Sequence, residues 1–156
     1  MGPKKIILKK FTDKRGFLID LVPQNLKKRF VRQILTLSKK NVIRGLHFDS
    51  KLKEEKLIYL VQGKILDVCI NMKKNKFYKK KFYFKLNKGE ALLIPKGYAH
   101  GYEAIGDKNI LVYFLSTNYN PSTSKGIIWN DKSLKIRWSI KKPIISKNDK
   151  NLPTLK

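Results

Sequence analysis

Histidine, cysteine and acidic residues are all scarce in this chain of 156 residues. It has two histidines, one cysteine, and 11 Asp and Glu residues against 36 Lys and Arg residues. A single cysteine excludes an intramolecular disulfide, and the apolar run around Cys69 predicts a buried thiol in a reducing compartment. No apolar run has membrane-spanning length, and the amino terminus lacks a signal-peptide core. We therefore expect a cytoplasmic protein with no membrane partner.

The deficit of acidic residues leaves a formal net charge of +25. Such a field attracts polyanions such as nucleic acid, and also smaller anions such as a nucleotide diphosphate. Most of the excess is lysine scattered through predicted loops and strand edges. Zinc-finger spacing, an RNP-type aromatic strand and a helical basic region are all absent from the sequence. The positive charge is therefore the only feature that favours nucleic-acid binding. We expect no nucleic-acid partner.

Short runs of β-branched and aromatic residues recur along the chain, with turn-forming residues between them. This pattern predicts an all-β sandwich or barrel in one domain, residues 1–156, with a short helix at Pro23–Arg29 and an irregular tail at Pro143–Lys156. The predicted strands are Gly16–Leu21, Val31–Leu37, Val42–His47, Lys56–Val61, Lys64–Ile70, Lys81–Leu86, Ala91–Ile94, His100–Ala104 and Ile110–Ser116.

Both histidines lie in patterned segments, each beside glycine and an aromatic residue. His47 ends the run Arg44-Gly45-Leu46-His47, and His100 follows a proline and a glycine in Pro95-Lys96-Gly97-Tyr98-Ala99-His100. An imidazole titrates near neutral pH and can accept or donate a proton there. A histidine among apolar neighbours is also commonly a hydrogen-bonded core residue. The two segments alone leave both interpretations open.

The spacing of Gly89, Pro95, Gly97 and His100 resembles the second signature of the cupin jelly roll. More narrowly, the chain resembles the dTDP-4-dehydrorhamnose 3,5-epimerase family from about residue 11 to residue 149. This resemblance implies a cupin-type jelly-roll β-sandwich with little helix. The stretches that carry it are Phe11–Phe17, Arg44–Phe48, Lys56-Leu57 with Gly63 and Asp67-Val68, Ile94–Tyr102, Tyr113, Thr117–Tyr119, and Trp129–Asp131 with Ile136 and Trp138.

The resemblance also implies proton-transfer chemistry without a metal or cofactor. In a nucleotide-linked 4-keto-6-deoxy sugar, the ketone acidifies the hydrogens on C3 and C5, so epimerisation requires a base, an acid and a group that holds the enolate oxygen. The matching positions make His47 the base and Asp149 the carboxylate that orients it. Tyr113 would return a proton from the opposite face, and Lys56 would lie near O4.

Substrate binding follows from the same resemblance. Arg44 and Arg15 would pair with the diphosphate, a geometry that suits a guanidinium group. In the family, Arg15 reaches the nucleotide of the neighbouring subunit, which implies a homodimer. The other positions implied to contact or line the substrate site are His100, Asp67, Asp20 and Tyr119.

Several positions depart from the family pattern. A Gln-x-Asn alternation that usually touches substrate is replaced within Val31–Leu35, and a common glutamate is replaced by Asp20. Asp49 stands where glutamine is usual, and Asn120 replaces an aromatic residue. These changes leave open the nucleotide, which could be dTDP or GDP, the sugar, and whether C3, C5 or both are inverted.

A metal site is the main alternative from another mechanistic class. His47, Asp49 and His100 form a two-histidine, one-carboxylate set of the kind that binds Fe(II) in jelly-roll oxygenases, and Glu54 or Glu55 could add a ligand. Against it, an oxygenase would have no use for Lys56 and Tyr113 at these positions. A cupin that binds sugar or nucleic acid without catalysis is a further alternative.

Overall fold

The structure is a computed structural model that describes residues 2–155. Nearly all of its regular elements are strands, which confirms the predicted all-β class. The strands are β1 (Lys4–Ile6), β2 (Lys10–Asp13), β3 (Gly16–Ile19), β4 (Arg32–Lys39), β5 (Ile43–Asp49), β6 (Lys56–Gln62), β7 (Lys64–Asn71), β8 (Lys81–Asn87), β9 (Ala91–Ile94), β10 (Tyr98–Ala104), β11 (Lys108–Leu115) and β12 (Ser124–Gly126). A 3-10 helix at Gln24–Arg29 and helix α1 at Lys147–Lys150 complete the set.

Two five-stranded antiparallel sheets form the β-sandwich. Sheet 1 has the order β1-β9-β6-β11-β4, and sheet 2 has the order β12-β5-β10-β7-β8. Strands β2 and β3 form a separate hairpin. Within residues 2–155, no helix has the length and apolar composition needed to cross a membrane. The two five-stranded antiparallel sheets confirm the cupin-type sandwich that the sequence predicted.

Sheet 1 is buried on both faces over its central strands, which explains the continuous apolar run of β6. Its inner face contributes Ile58 and Leu60 to the core between the sheets, while its outer face carries Leu57 and Tyr59. The 3-10 helix segment covers that outer face with Leu26 and Phe30. The burial of successive residues in β6 therefore replaces the alternation expected of a strand with one solvated face.

All the strands predicted from apolar periodicity are present, with ends that differ by at most two residues. The 3-10 helix at Gln24–Arg29 matches the predicted short helix. Strands β1, β2 and β12 were not predicted, because each is short, mostly exposed and without an apolar run. The tail also contains one regular turn, α1, which begins at the N-cap residue Ser146.

The close approach of β5 to β10 depends on glycine. Gly45 has a φ of 110°, and a Cβ there would lie 2.7 Å from Gly101 Cα and 2.8 Å from the His100 carbonyl oxygen. Gly16 has a similar φ of 129° but nothing within 4 Å of its Cβ position. The two glycines therefore share a backbone conformation that disfavours side chains, and only Gly45 adds a steric requirement.

We expect Gly45→Ala to lower the free energy of unfolding by about 2 kcal/mol more than Gly16→Ala, because only Gly45 carries the clash with β10. For a chain of this size, the difference corresponds to about 4–8 °C in the thermal midpoint. Thermal unfolding of both variants measures it. Equal losses in the two variants would contradict the close approach of β5 and β10.

Candidate active site

A cavity of about 620 Å³ opens between the two sheets. Sheet 2 contributes Arg44, His47 and His100 to its wall, and sheet 1 contributes Lys56 and Tyr113. The volume lies in the usual range for small-molecule sites. Side chains that the sequence separates by many residues therefore meet in one cavity.

His47 and His100 face the cavity from adjacent strands. They are direct partners in the pairing of β5 with β10, and residues opposite each other in antiparallel strands project from the same face. The ring of His47 is 45% exposed, whereas His100 is buried. His47 is therefore the more accessible of the two imidazoles to a bound molecule and to solvent.

Asp149 holds His47 from the carboxyl-terminal tail. Its Oδ1 lies 2.8 Å from His47 Nε2, and its Oδ2 accepts a 3.1 Å hydrogen bond from the Gly45 N–H. The tail reaches β5 through backbone hydrogen bonds between Ile144 and Asn41 and between Ile43 and Ile144. These contacts bring together side chains that are 102 positions apart in the chain.

The turn that carries Asp149 follows an ordinary capping pattern. Ser146 is the N-cap residue of α1, and its Oγ accepts a 3.0 Å hydrogen bond from the Asp149 N–H. An acidic residue in the first turn of a helix also interacts favourably with the partial positive charge of that terminus. The local sequence therefore fixes the backbone of Asp149 while the side chain points to His47.

The carboxyl group of Asp149 is ionised at neutral pH. Burial raises its pKa, but the hydrogen bond and charge interaction with His47 and the Gly45 N–H outweigh burial, so the pKa lies below its usual value. A carboxylate can only accept hydrogen bonds, so His47 Nε2 must carry the proton. In the neutral ring, the lone pair is then on Nδ1, which is the atom available to act as a base.

Tyr113 faces the cavity from sheet 1. It is buried, it pairs with Ile34 of β4 and Ile58 of β6, and its ring centroid lies 6.1 Å from that of His100. Burial raises the pKa of the Tyr113 phenol well above its usual value, and nearby Tyr102 raises it further. The phenol is therefore protonated at neutral pH and has a proton to donate.

Behind the cavity wall, Asp67 supports His100. His100 Nδ1 lies 3.3 Å from Asp67 Oδ2, and the Cys69 thiol donates to Asp67 Oδ1 at 3.3 Å. Burial and the nearby ammonium of Lys56 lower the pKa of His100, and Asp67 opposes them only in part. His100 is therefore a neutral imidazole at pH 7, and Cys69 is a buried thiol, as the sequence predicted.

Lys56 presents a fixed ammonium group to the cavity. Its Nζ lies 3.0 Å from Glu54 Oε1, with the two side chains 8% and 15% exposed. Thr117 donates a 2.9 Å hydrogen bond to the other oxygen, Glu54 Oε2. The ammonium is thus held by a carboxylate that is itself held by the loop after β11.

Arg44 supplies a second cation. Its Nε donates to Ser38 Oγ at 2.9 Å, and one terminal nitrogen donates to the Leu37 carbonyl at 3.2 Å. Ser38 Oγ lies 2.8 Å from the hydroxyl of Tyr102. Within residues 2–155, Arg44 forms no ion pair with a carboxylate, so its charge is available to an anionic ligand.

The remaining predicted residues lie at or outside the cavity mouth. Tyr119 lines the mouth, and the guanidinium of Arg32 lies 5.2 Å from the centre of its ring. Arg15 lies at the turn of the β2–β3 hairpin, where it pairs with Asp13, and its side chain is 90% exposed. Asp20 pairs with Lys27 at 3.2 Å. Neither Arg15 nor Asp20 lines the cavity of the single chain.

The alternative metal-binding set is not assembled. The carboxylate of Asp49 accepts hydrogen bonds from the Lys51 and Lys53 N–H groups at 3.4 Å and 2.9 Å, which close the loop after β5. Glu54 pairs with Lys56, and Glu55 pairs with Arg29. Among the residues that the structure describes, no group of three or more His, Cys, Asp and Glu side chains is arranged to hold a metal ion.

Sequence reasoning missed the contribution of two cavity residues. The sequence suggests Glu54 only as a possible metal ligand, whereas in the structure it pairs with Lys56 two positions later and the intervening Glu55 pairs with Arg29. Arg32 lies in the stretch Val31–Leu35, where the Gln-x-Asn alternation of the family is replaced, and the alternation of β4 places it in the cavity wall with Ile34 and Thr36. Counting positions along β4 would have identified that wall.

The sequence matches one family of known proteins along its length. The model of the dTDP-4-dehydrorhamnose 3,5-epimerase family matches residues 2–156. The dTDP-4-dehydrorhamnose 3,5-epimerase of Methanothermobacter thermautotrophicus is 32% identical over 159 residues, which cover 94% of this chain and 85% of that protein.

Solved structures are similar over almost the whole chain. The epimerase from Bacillus anthracis, with TDP and PPi bound, is 32% identical with a TM-score of 0.90 and covers 98% of this chain and 94% of its own. The Legionella pneumophila enzyme in complex with dTDP-4-keto-L-rhamnose is 25% identical with a TM-score of 0.89, covering 97% and 87%. The predicted isomerase class is confirmed. This chain belongs to the dTDP-4-dehydrorhamnose 3,5-epimerase family.

Proposed function

We propose that this protein epimerises a dTDP-linked 4-keto-6-deoxy sugar at C3, C5 or both, through an enolate. The observation that carries the proposal is the placement of His47 and Tyr113 on facing sheets of one cavity. Inversion of a carbon requires removal of a proton on one face and delivery on the other. A site with a proton-transfer group on only one face of the sugar could exchange the proton with solvent, but it would return a proton to the same face and leave the configuration unchanged.

The proton path follows from the protonation states. His47 Nδ1 takes the proton from the carbon beside the ketone, and the imidazolium that forms is stabilised by Asp149 at 2.8 Å. The electron pair moves to O4, where the ammonium of Lys56 offsets the enolate charge. The Tyr113 phenol then donates its proton to the opposite face of the carbon. Solvent returns a proton to the phenolate and removes one from His47.

The nucleotide end of the substrate calls for cations. Arg44 is suited to the diphosphate because its guanidinium lacks a carboxylate partner among the described residues. The Bacillus anthracis and Legionella pneumophila relatives contain TDP and dTDP-4-keto-L-rhamnose, respectively. These ligands favour a dTDP sugar over a GDP sugar for this chain.

A homodimer would complete the site. Arg15 projects into solvent from the β2–β3 hairpin, beside the exposed side chains of Phe11, Phe17 and Leu18. In our proposal, this hairpin contacts a second copy of the chain and places Arg15 near the partner's nucleotide. We also propose that the protein is a cytoplasmic, single-domain enzyme. It would act in deoxysugar and surface polysaccharide biosynthesis and would have no nucleic-acid partner.

Proton NMR of the candidate substrate in deuterated water tests the reaction. We expect the C3 or C5 proton signals of dTDP-4-keto-6-deoxyglucose to disappear when the enzyme is added, because the proton removed by His47 is lost to solvent and the Tyr113 phenol delivers deuterium in its place. The GDP-linked sugar serves as the comparison and should react more slowly. Unchanged spectra with every dTDP- and GDP-linked 4-keto sugar would refute the proposed function.

A further inference from the structure

Glu54 is directed at the group that would stabilise the enolate. Its Oε1 lies 3.0 Å from Lys56 Nζ, and Thr117 donates to its other oxygen at 2.9 Å. Within residues 2–155, Lys56 forms no other ion pair. An ammonium has three N–H donors, so the contact with Glu54 uses one and leaves two for O4 of a bound sugar.

The backbone around Glu54 is also fixed to the loop that follows β11. Glu55 donates its N–H to Ser116 Oγ at 2.8 Å, and Ser116 returns its N–H to the Glu55 carbonyl at 3.0 Å. Next to these two hydrogen bonds, Lys56 of β6 pairs with Leu115 of β11. Tyr113 lies two positions earlier on β11 and projects from the same face as Leu115. The Glu54 side chain and the Glu55 backbone therefore both connect the Lys56 region to the loop that follows the strand of Tyr113.

We propose that Glu54 is a positioning residue that holds the Lys56 ammonium at the enolate oxygen, with Thr117 fixing Glu54 in turn. This inference rests on the proposed function. Lysine has a flexible four-carbon chain, so an unanchored ammonium would spread over many rotamers in a cavity of this size. The anchor matters most in the transition state, because the charge on O4 develops only there.

Three variants separate positioning from charge. Glu54→Ala removes the anchor, and we expect kcat to fall about 30-fold with KM and the Kd for TDP within about twofold of the wild type. Glu54→Gln keeps an oxygen for the Lys56 N–H and one polar group for Thr117, and should retain kcat within about threefold. Thr117→Val should give an intermediate loss.

Glu90→Ala is the matched control. Glu90 also pairs with a lysine, Lys5, at 2.8 Å, but the pair lies on the surface and does not line the cavity. We expect its kcat to equal that of the wild type. A Glu54→Ala variant with wild-type kcat would overturn the inference. A Glu54→Gln variant as slow as Glu54→Ala would also overturn it, because the negative charge would then be the required property.

A spectroscopic measurement tests the anchor independently of turnover. In ¹⁵N-labelled protein, the Lys56 ammonium should give a proton–nitrogen signal protected from rapid exchange with water, present in the wild type and Glu54→Gln and lost in Glu54→Ala. Lys56→Arg assigns the signal. Survival of this signal in Glu54→Ala would refute the role of Glu54. Absence of wild-type turnover with a normal ammonium signal would refute the proposed function instead.

Discussion

His47→Asn should abolish deuterium exchange at both C3 and C5 of the substrate. Asparagine has no lone pair basic enough to remove a carbon-bound proton. We expect the exchange rate to fall at least about a thousandfold, within the range by which general bases contribute to catalysis. Proton NMR in deuterated water measures the exchange at each carbon separately.

The binding of TDP is the control for this variant, because binding of the nucleotide does not require the catalytic base His47. Wild-type affinity for TDP would show that the cavity is intact in His47→Asn. Retention of exchange at close to the wild-type rate would remove His47 from the mechanism. Loss of exchange at only one carbon would indicate a second base for the other.

Asp149 offers a related comparison within the same dyad. Asp149→Asn replaces an acceptor with an amide that can donate to His47 Nε2, which favours the tautomer with its proton on Nδ1. The base would then be blocked while the ring stayed in place, so activity should also fall sharply. The two variants together test whether the 2.8 Å contact sets the tautomer of His47.

Apolar periodicity predicted most of the fold because the central strands of the sandwich are buried. Runs such as Lys64–Ile70 and Ala91–Ile94 are apolar since both faces of their strands are covered. Strands β2 and β12 escaped prediction because their residues are mostly exposed and their pairing is set by neighbouring strands. Apolar periodicity identifies strands whose side chains are buried, and few side chains of these short strands are buried.

The site was predictable only where local motifs carry it. His47 and His100 were identified from glycine- and proline-containing segments, whereas the contact between His47 and Asp149 depends on the path of the tail across β5. The pattern Ser146-Lys147-Asn148-Asp149 is recognisable as a helix start, but it does not say where that helix lies. Long-range placement of this kind requires the folded chain.

Arg15 and Asp20 illustrate a different limit. The resemblance implied that both contact substrate, yet in the single chain both lie outside the cavity, in ion pairs with neighbours along the chain. A residue that acts across a subunit boundary has no visible target within its own protomer. The role of Arg15 therefore stays a prediction that depends on the proposed homodimer, and substrate contact by Asp20 also stays a prediction.

Tyr113→Phe should separate proton exchange from inversion. The phenyl ring keeps the packing of the buried side chain but has no proton to deliver, while His47 and Lys56 remain able to form the enolate. The His47 ring is 45% exposed, so the proton that it removes can be replaced from solvent before it returns to the same face. Deuterium should then enter the substrate with its configuration retained.

The most direct test of the two-wall mechanism is the ratio of inverted product to deuterated, uninverted substrate formed by Tyr113→Phe in deuterated water, measured by proton NMR. We expect exchange to continue within about tenfold of the wild-type rate while inversion falls at least about a hundredfold. Inverted product formed at close to the wild-type rate would contradict the account, because the proton donor would then lie elsewhere in the cavity.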